Sequence, residues 1–342
     1  MSTPASLLSA ARSGFTRSLP VLRSAGLVGS AEIINRITHV VTAIALARAL
    51  TVVEFGIAAA AITVHELTRA FIQNGLGTRI VTASKEELAE VTVAVNQLNW
   101  WLGIGLAFSQ LATAAVIYSF YESPALALAI GLLALVHVIY PFSMVQVFLA
   151  QREGRWRCVS GAVATQAVTD NLLTAGLAIA GAGIWAVIVP KILVAPLWVI
   201  WHRVATPWAP AATRSRHLLG KLVIYSLQVL GTEMLGTLRA HGDKALVGLL
   251  LGPQALGLYA FASNIGNSIT IGLSQCIGAV MLPHLRRGHE SGRVLDNFTP
   301  ALASMIVPLV PVILAQAFLA WWYVPMLFGE KWSEAVPLLV VM

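Results

Sequence analysis

The chain has 342 residues, of which 57% are hydrophobic and 11% are charged. Soluble domains carry about 25% charged residues, so this composition excludes an ordinary water-soluble globule, and lipid must solvate part of the apolar surface. The formal net charge is +7, but the basic residues stand in short clusters between apolar runs rather than in one patch, which argues against a nucleic-acid partner.

Nine apolar segments are long enough to cross a bilayer. A spanning helix requires about 20 mostly apolar residues, because about 30 Å of hydrocarbon is crossed at about 1.5 Å per residue. A tenth segment begins near Ser333 and is too short to cross. The sequence therefore predicts an all-α polytopic membrane protein. In chain order, the predicted spans are 25–47, 55–80, 90–119, 124–149, 157–181, 183–203, 217–241, 254–284 and 296–322.

The segments between these spans differ in basic residues. Lys and Arg favour the cytoplasmic side of a membrane protein, so the sequence predicts a cytoplasmic N-terminal segment at 1–24 and a basic cytoplasmic linker at 204–220. The basic residues on this side are Arg12, Arg17, Arg23, Arg79, Lys85, Arg152, Arg155, Arg157, Arg203, Arg214, Arg216, Lys221, Arg286, Arg287 and Arg293. Those on the opposite side are Arg48, Arg239, Lys244 and Lys331, at or near helix ends.

A shift of 201 residues aligns the second part of the chain with the first. It places Phe55-Gly56-Ile57 on Leu256-Gly257-Leu258, and it places the third span on the ninth. An even number of helices per repeat preserves orientation, so we expect parallel repeats related by an axis along the membrane normal. The alternative is a chance likeness between Leu- and Gly-rich helix starts.

The repeat divides the chain into a six-helix bundle at 25–203 and a second bundle at 221–342, on either side of the linker. Under the same shift the partner of the sixth helix ends near residue 404. We therefore expect the second bundle to be incomplete, or truncated, in this chain.

The first two spans each carry an acid and a base on one helix face. Glu32 and Arg36 stand four residues apart in the first span, and Glu66 and Arg69 stand three apart in the second. An ionisable residue inside a bilayer costs about 2.5–3.5 kcal/mol on insertion scales, so such residues indicate a function or a partner.

Two interpretations of these residues stay open. In the first, Arg36 and Arg69 line a central cavity between the bundles and bind an anionic headgroup, since guanidinium binds phosphate in bidentate fashion. Glu32 and Glu66 are then candidates for ion coupling. In the second, each Glu pairs with the Arg of its own helix and only allows the helix to insert.

Further charges lie in later spans. Asp170, near the middle of the fifth span, is a candidate proton or cation site, and Lys191, near the middle of the sixth, is a candidate anion contact. Alternatively, these two residues pair across adjacent helices. The seventh span carries Glu233 and ends in a charged stretch from Arg239 to Lys244 that we place at the outer mouth, and Arg239 is a further substrate-binding candidate.

Motifs for other chemistry are missing. His65-Glu66 resembles the opening of a zinc-binding helix, but the second His at the required spacing is absent. The sequence has no P-loop, no nucleophile–base set, and no Cys or His cluster around its 2 cysteines. We therefore expect no enzymatic activity, no cofactor and no metal.

Two helix junctions resemble a known family. The stretches 46–50 (LARAL) with 54–56 (EFG), and 243–248 (DKALVG) with 256–260 (LGLYA), resemble the helix 1–2 and helix 7–8 junctions of the bacterial polysaccharide transporter, or oligosaccharide flippase, family. Leu282-Pro283 and the stretch 328–332 (FGEKW) also fit that family. The resemblance implies two six-helix bundles, like those of the multidrug and toxic-compound extrusion proteins of the same exporter superfamily.

The resemblance also implies a substrate. In this family an O-antigen or exopolysaccharide repeat unit on polyprenyl diphosphate is turned from the inner to the outer leaflet of the cytoplasmic (inner) membrane, by ion-coupled alternating access. Arg36, Arg69 and Arg239 occupy plausible positions for the cationic lumen of such a flippase. The implied partners are the lipid-linked glycan, membrane lipids, and a polysaccharide polymerase with its export machinery.

Two other functions remain as alternatives. A cation-coupled multidrug or small-molecule antiporter of the same fold favours acidic rather than basic central residues. A non-transporting scaffold of a polysaccharide assembly complex needs no polar lumen, so the acid–base faces of the first two helices argue mildly against it.

Overall fold

The computed structural model describes residues 34–73, 77–121, 123–210, 216–290 and 294–342. Within these ranges the regular elements are helices, which satisfy their own backbone hydrogen bonds as lipid requires. Short 3-10 helices stand at Tyr140–Phe142 and Glu330–Ala335. The α-helices are α1 (34–49), α2 (Val52–Gln73), α3 (Gly77–Thr82), α4 (Leu88–Tyr121), α5 (Pro124–Ile139), α6 (Met144–Arg152), α7 (Trp156–Ile179), α8 (Trp185–Ala205), α9 (Arg216–Glu290), α10 (Val294–Phe328) and α11 (Val336–Val341).

Among the described residues, 5 helical segments are long and apolar enough to cross a membrane. The chain is therefore a multi-pass α-helical membrane protein, and the predicted fold class is confirmed. The segments are Leu88–Phe120, Pro124–Phe142, Trp185–Ala205, Gly231–Gly266 and Val310–Phe328.

The predicted spans overlap these helices but differ at some ends. The second span is predicted to run to residue 80; the structure describes α2 as far as Gln73 and α3 from Gly77, and residues 74–76 lie outside the described residues. The fourth is interrupted at Tyr140–Phe142, because Pro141 lacks the N–H that a continuous helix would donate.

The predicted end of the seventh span, at residue 241, is wrong. Helix α9 continues to Gly252, where φ is 81° and ψ is −179°. Glycine adopts this conformation readily, and Pro253 then begins the next helical segment, as proline does at a first helical position. Arg239 and Lys244 thus lie inside a helix, and the sequence placed the helix end too early because charged residues resemble a loop.

The charged stretch in α9 has partners across that kink. The Tyr259 hydroxyl donates to Asp243 Oδ2 at 2.6 Å, and Lys244 Nζ donates to Asn264 Oδ1 at 3.3 Å. These bonds join the segments on either side of Gly252. They give the charges polar partners inside the helical region.

The structure divides into two compact units. Unit 1 comprises Met1–Leu46 and Ala61–His241, and unit 2 comprises Ala47–Ala60 and Gly242–Met342. The corner between α1 and α2 thus groups with the C-terminal part of the chain, and the first part of α9 groups with the N-terminal part. The predicted bundle boundaries at 203 and 221 stay a prediction about the membrane domains.

In unit 1, two arginines of the predicted cytoplasmic side cap helix C-termini. Arg152 donates from Nη1 to the carbonyls of Ile80 (2.8 Å) and Ala83 (2.6 Å) at the end of α3. Arg155 donates from Nη2 to the carbonyl of Ala205, 2.8 Å away, at the end of α8. The last carbonyls of a helix lack intrahelical donors and carry partial negative charge, so these arginines satisfy both needs.

In unit 2, α2 and α9 cross at two glycines. A Cβ on Gly56 would stand 1.7 Å from the Pro253 carbonyl oxygen and 3.0 Å from Gly257 N, and a Cβ on Gly257 would stand 2.1 Å from the Val52 carbonyl oxygen. Val52 and Gly56 correspond to Pro253 and Gly257 under the 201-residue shift. The two contacts are therefore reciprocal, and they involve positions that the 201-residue shift makes equivalent. Superposition of the repeats stays a prediction.

Unit 2 also contains a buried indole among its described residues. Trp332 is fully buried, donates from Nε1 to the Ala47 carbonyl at 2.8 Å, and stacks on Phe261. Beside it, Arg48 donates to the Leu327 carbonyl at 2.8 Å and Lys331 donates to the Leu50 carbonyl at 2.6 Å. The two basic residues therefore cap α10 and α1, which gives them a structural role on the side where the sequence predicts few cations.

Candidate functional site

A cavity of about 160 Å³ lies in unit 1, between the second half of α2 and the first half of α9. This volume is well above what a single water requires and below the roughly 300–1,000 Å³ of drug-sized ligand pockets. It therefore suits a small polar group rather than a whole glycan. Its described lining residues are Glu66, Arg69, Glu233, Gly236, Thr237, Ala240 and His241.

Helix α2 presents an ion pair to this cavity. Arg69 Nη2 lies 3.0 Å from Glu66 Oε2, and Arg69 Nε donates to the same oxygen at 3.1 Å. The two residues stand one helical turn apart, where side chains meet on the helix surface. The structure thus shows the predicted pairing within α2, and it also places both side chains in the cavity wall. Arg69 therefore pairs with Glu66 and also faces a cavity in which it could contact a ligand.

Helix α9 presents the opposite wall. Glu233, Gly236, Thr237 and Ala240 follow the i, i+3, i+4, i+7 spacing of one helix face. Glycine and alanine leave space, while the Glu233 carboxylate and the Thr237 hydroxyl supply polar atoms. Glu233 is a membrane charge in the sequence, but it was not among the predicted site residues. The same face pattern used for α2 was the signal that would have selected it.

A buried histidine pair holds α2 one turn from Arg69. The rings of His65 and His137 stack with centroids 4.9 Å apart, and His137 Nε2 lies 2.6 Å from Gln110 Oε1. Gln110 Nε2 donates to the Ile130 carbonyl at 2.7 Å, and a carbonyl can only accept. The amide oxygen therefore faces His137, whose Nε2 must carry the proton. This bond joins α4 to α5, and the ring stack joins α2 to α5. Together they hold α2 against its neighbours one turn before Arg69.

In the sequence analysis, His65 appears only in an incomplete zinc-binding motif. In the part of the chain that the structure describes, no group of three or more His, Cys, Asp or Glu residues is placed to hold a metal ion. The imidazole of His65 is buried in the helix packing instead.

Asp170 and Lys191 pair with each other. Lys191 Nζ donates to Asp170 Oδ2 at 3.1 Å, between α7 and α8, so the structure shows the alternative that the sequence left open. Next to this pair, Asn171 donates from Nδ2 to Asn35 Oδ1 and Thr38 Oγ1, both at 3.2 Å. These contacts connect α1, α7 and α8.

The structure does not gather all the predicted site residues in one place. Arg69 and Glu66 line the cavity, whereas Arg36, Lys191 and Arg239 are not among its described lining residues. Glu32 lies outside the described residues. Substrate contact by Arg36, Lys191 and Arg239 and ion coupling by Asp170, Glu32 and Glu66 stay predictions.

A family model described as "Polysaccharide biosynthesis protein" matches residues 45–337. The chain belongs to this family. The match covers both helix junctions from which the resemblance was inferred, so the predicted resemblance is confirmed.

Two relatives of this polysaccharide biosynthesis chain extend the comparison. The teichuronic acid biosynthesis protein TuaB of Bacillus subtilis is 22% identical over 255 residues, which are 72% of this chain and 51% of TuaB. An uncharacterized membrane protein in the cps region of Klebsiella pneumoniae is 24% identical over 298 residues, which are 86% of this chain and 61% of that protein. The chain thus spans only part of the length of these relatives.

The fold is shared with a solved transporter. The structure titled "Inward-facing conformation of a multidrug resistance MATE family transporter of the MOP superfamily" aligns with a TM-score of 0.56 and 14% identity, covering 92% of this chain and 75% of that one. At this identity the likeness concerns the fold alone. It agrees with the extrusion-transporter fold that the resemblance implied.

Proposed function

We propose that this chain translocates polyprenyl-diphosphate-linked oligosaccharide repeat units across the cytoplasmic membrane for cell-surface or exopolysaccharide assembly. Family membership and the multi-pass helical fold support a membrane component of polysaccharide biosynthesis. The observation that carries the finer proposal is Arg69, a guanidinium in the wall of a small cavity between α2 and α9.

The cavity suits the charged part of such a substrate. A guanidinium donates two parallel hydrogen bonds to phosphate oxygens, and a volume of about 160 Å³ matches a diphosphate group better than a sugar chain. In this proposal Arg69 holds the diphosphate, while the glycan and the polyprenyl chain extend beyond the cavity. Binding must loosen the Glu66–Arg69 pair, which makes Glu66 the candidate through which an ion is coupled to transport.

The proposal includes location and partners. The N-terminus lies in the cytoplasm and the chain resides in the inner membrane, as the distribution of basic residues favours. A polymerase and an export machinery then receive the translocated repeat unit.

A second candidate is a cation-coupled small-molecule antiporter. It is favoured by one observation, the presence of two carboxylates, Glu66 and Glu233, in the same cavity wall. An organic cation would bind these carboxylates, whereas an anionic lipid diphosphate would bind Arg69.

Flipping by the purified protein tests the proposal. The chain is reconstituted in vesicles with a fluorescent lipid-diphosphate oligosaccharide, and the probe accessible from outside is measured over time. We expect Arg69→Ala to reduce the rate at least about tenfold, the loss of roughly one charge-assisted hydrogen bond, and Arg69→Lys to retain part of it. Arg157→Ala, a change of an exposed arginine at the start of α7, is the matched control.

Two results would contradict the proposal. One is a wild-type rate equal to that of protein-free vesicles. The other is transport of organic cations that is lost when both carboxylates are removed and is unaffected by Arg69→Ala. This result would favour the antiporter.

A further inference from the structure

The α2–α9 cavity presents carboxylates as well as a guanidinium to a diphosphate ligand. The described part of the chain presents four titratable or charged groups to it: Glu66 and Arg69 from α2, and Glu233 and His241 from α9. Among these described groups the two carboxylates outnumber the single guanidinium, so one carboxylate is in excess. A diphosphate group would enter against the charge of the second carboxylate, which repels phosphate oxygens.

The two carboxylates are not equivalent. Glu66 accepts two hydrogen bonds from Arg69, at 3.0 and 3.1 Å, and the two charges compensate each other. Glu233 stands on the other helix and supplies the excess negative charge of the wall. It is therefore the group whose charge decides whether an anion can enter.

We propose that the diphosphate binds in this cavity together with one proton, and that Glu233 takes up that proton. This inference rests on the proposed function and adds the residue that controls binding. The proton comes from solvent and converts the Glu233 carboxylate to a carboxylic acid. The acid no longer repels phosphate oxygens, and its O–H donates a hydrogen bond to one of them, which a carboxylate cannot do.

The same step explains how Arg69 serves two partners. Without ligand, its guanidinium neutralises Glu66. When the diphosphate arrives, that pair loosens and N–H groups of the guanidinium fork bind phosphate oxygens, while protonated Glu233 and the Thr237 hydroxyl donate from α9. Each anionic oxygen then meets donors from both walls.

Proton uptake fixes the pH dependence of binding. If one proton binds with each ligand, the dissociation constant rises up to about tenfold for each unit of increasing pH. If none binds, the dissociation constant follows only the ionisation of the ligand itself. The sign is opposite for an organic cation, which deprotonated carboxylates bind better.

Calorimetry of the purified full chain in detergent tests this inference. Farnesyl diphosphate and inorganic diphosphate are titrated at several pH values in two buffers that differ in ionisation enthalpy, and farnesol is the uncharged control. We expect both diphosphates to bind the wild type with uptake of close to one proton beyond that of the free ligand. Farnesol should show neither uptake nor comparable affinity.

Glu233→Gln imitates the protonated acid without its titration. We expect it to tighten diphosphate binding about tenfold at slightly alkaline pH and to abolish the extra proton uptake. The double variant Glu233→Gln/Arg69→Met should bind neither diphosphate. Glu90→Gln, at an acid of the first turn of α4, should leave affinity and uptake unchanged.

The outcomes separate the inference from the proposed function. Unchanged affinity and uptake in Glu233→Gln, or no diphosphate binding by the wild type, would overturn the inference, even if the protein flips lipid-linked glycans. Proton-linked diphosphate binding that depends on Glu233 supports it, even if the flipping assay fails. Equal binding of farnesol would show that the site recognises the prenyl chain, which also overturns it.

Discussion

Two ion pairs of unit 1 have nearly the same distances and exposure, but they differ in which helices they connect. Arg69–Glu66 and Lys191–Asp170 have N–O distances of 3.0 and 3.1 Å. Their basic side chains are 30% and 29% exposed, and both acids are 23% exposed. The first pair lies within α2 and faces a cavity, whereas the second joins α7 to α8.

The difference concerns what each pair is free to do. A pair within one helix can separate without moving a helix, so Arg69 can exchange Glu66 for a ligand. A pair between helices contributes to their packing. In that pair Asp170 Oδ1 is buried without a hydrogen-bond partner among the described residues, so Lys191 provides the main compensation for the carboxylate. Distance and burial alone would not have distinguished the two pairs.

Removing Lys191 should have the larger effect on stability. Lys191→Met leaves the Asp170 carboxylate without its cation, and we expect a loss of about 2–3 kcal/mol in the free energy of unfolding. Breaking a fully buried pair costs about 3–5 kcal/mol, and the loss here is smaller because both groups are partly exposed. Denaturant titration in detergent measures this change. The double variant Asp170→Leu/Lys191→Met should recover most of the loss, since it leaves no charge unpaired.

A surface pair supplies the control for this experiment. Arg155 Nε lies 3.1 Å from Glu153 Oε2, with side chains 40% and 53% exposed. Glu153→Gln should change the free energy of unfolding by less than about 1 kcal/mol. A Lys191→Met effect as small as this would mean that the Asp170 pair does not tie α7 to α8.

Removing Arg69 should have the smaller effect on stability. Arg69→Met breaks a pair within one helix, and such pairs contribute about 0.2–0.5 kcal/mol, while Glu66 keeps access to the cavity. We therefore expect less than about 1 kcal/mol in the same titration. A loss as large as that of Lys191→Met would show that Arg69 is structural and would weaken its assignment to ligand binding.

The sequence predicted features that depend on local spacing or on the repeat. The Glu66–Arg69 pair follows from residues one turn apart on a helix. The equivalence of Gly56 and Gly257 follows from the 201-residue shift, whereas their close approach is seen only in the packing of α2 against α9.

Other features depend on tertiary packing and left little signal. The stack of His65 on His137 joins two helices that are distant in sequence, and no local pattern indicates which face of each meets the other. Glu233 was visible as a membrane charge, but its position opposite Glu66 depends on how α9 packs against α2. The true end of the first α9 segment, at Gly252, was obscured by charged residues that have partners across the kink.

Photocrosslinking tests the central claim, that the cavity between α2 and α9 binds the lipid diphosphate. A prenyl diphosphate with a photoreactive group beside the diphosphate is bound to the purified chain, irradiated, and mapped by mass spectrometry. We predict labelling within 66–69 and 233–241, which unlabelled farnesyl diphosphate suppresses and Arg69→Met abolishes. Suppressible labelling at 166–195, around the Asp170–Lys191 pair, with none at the cavity would contradict the account.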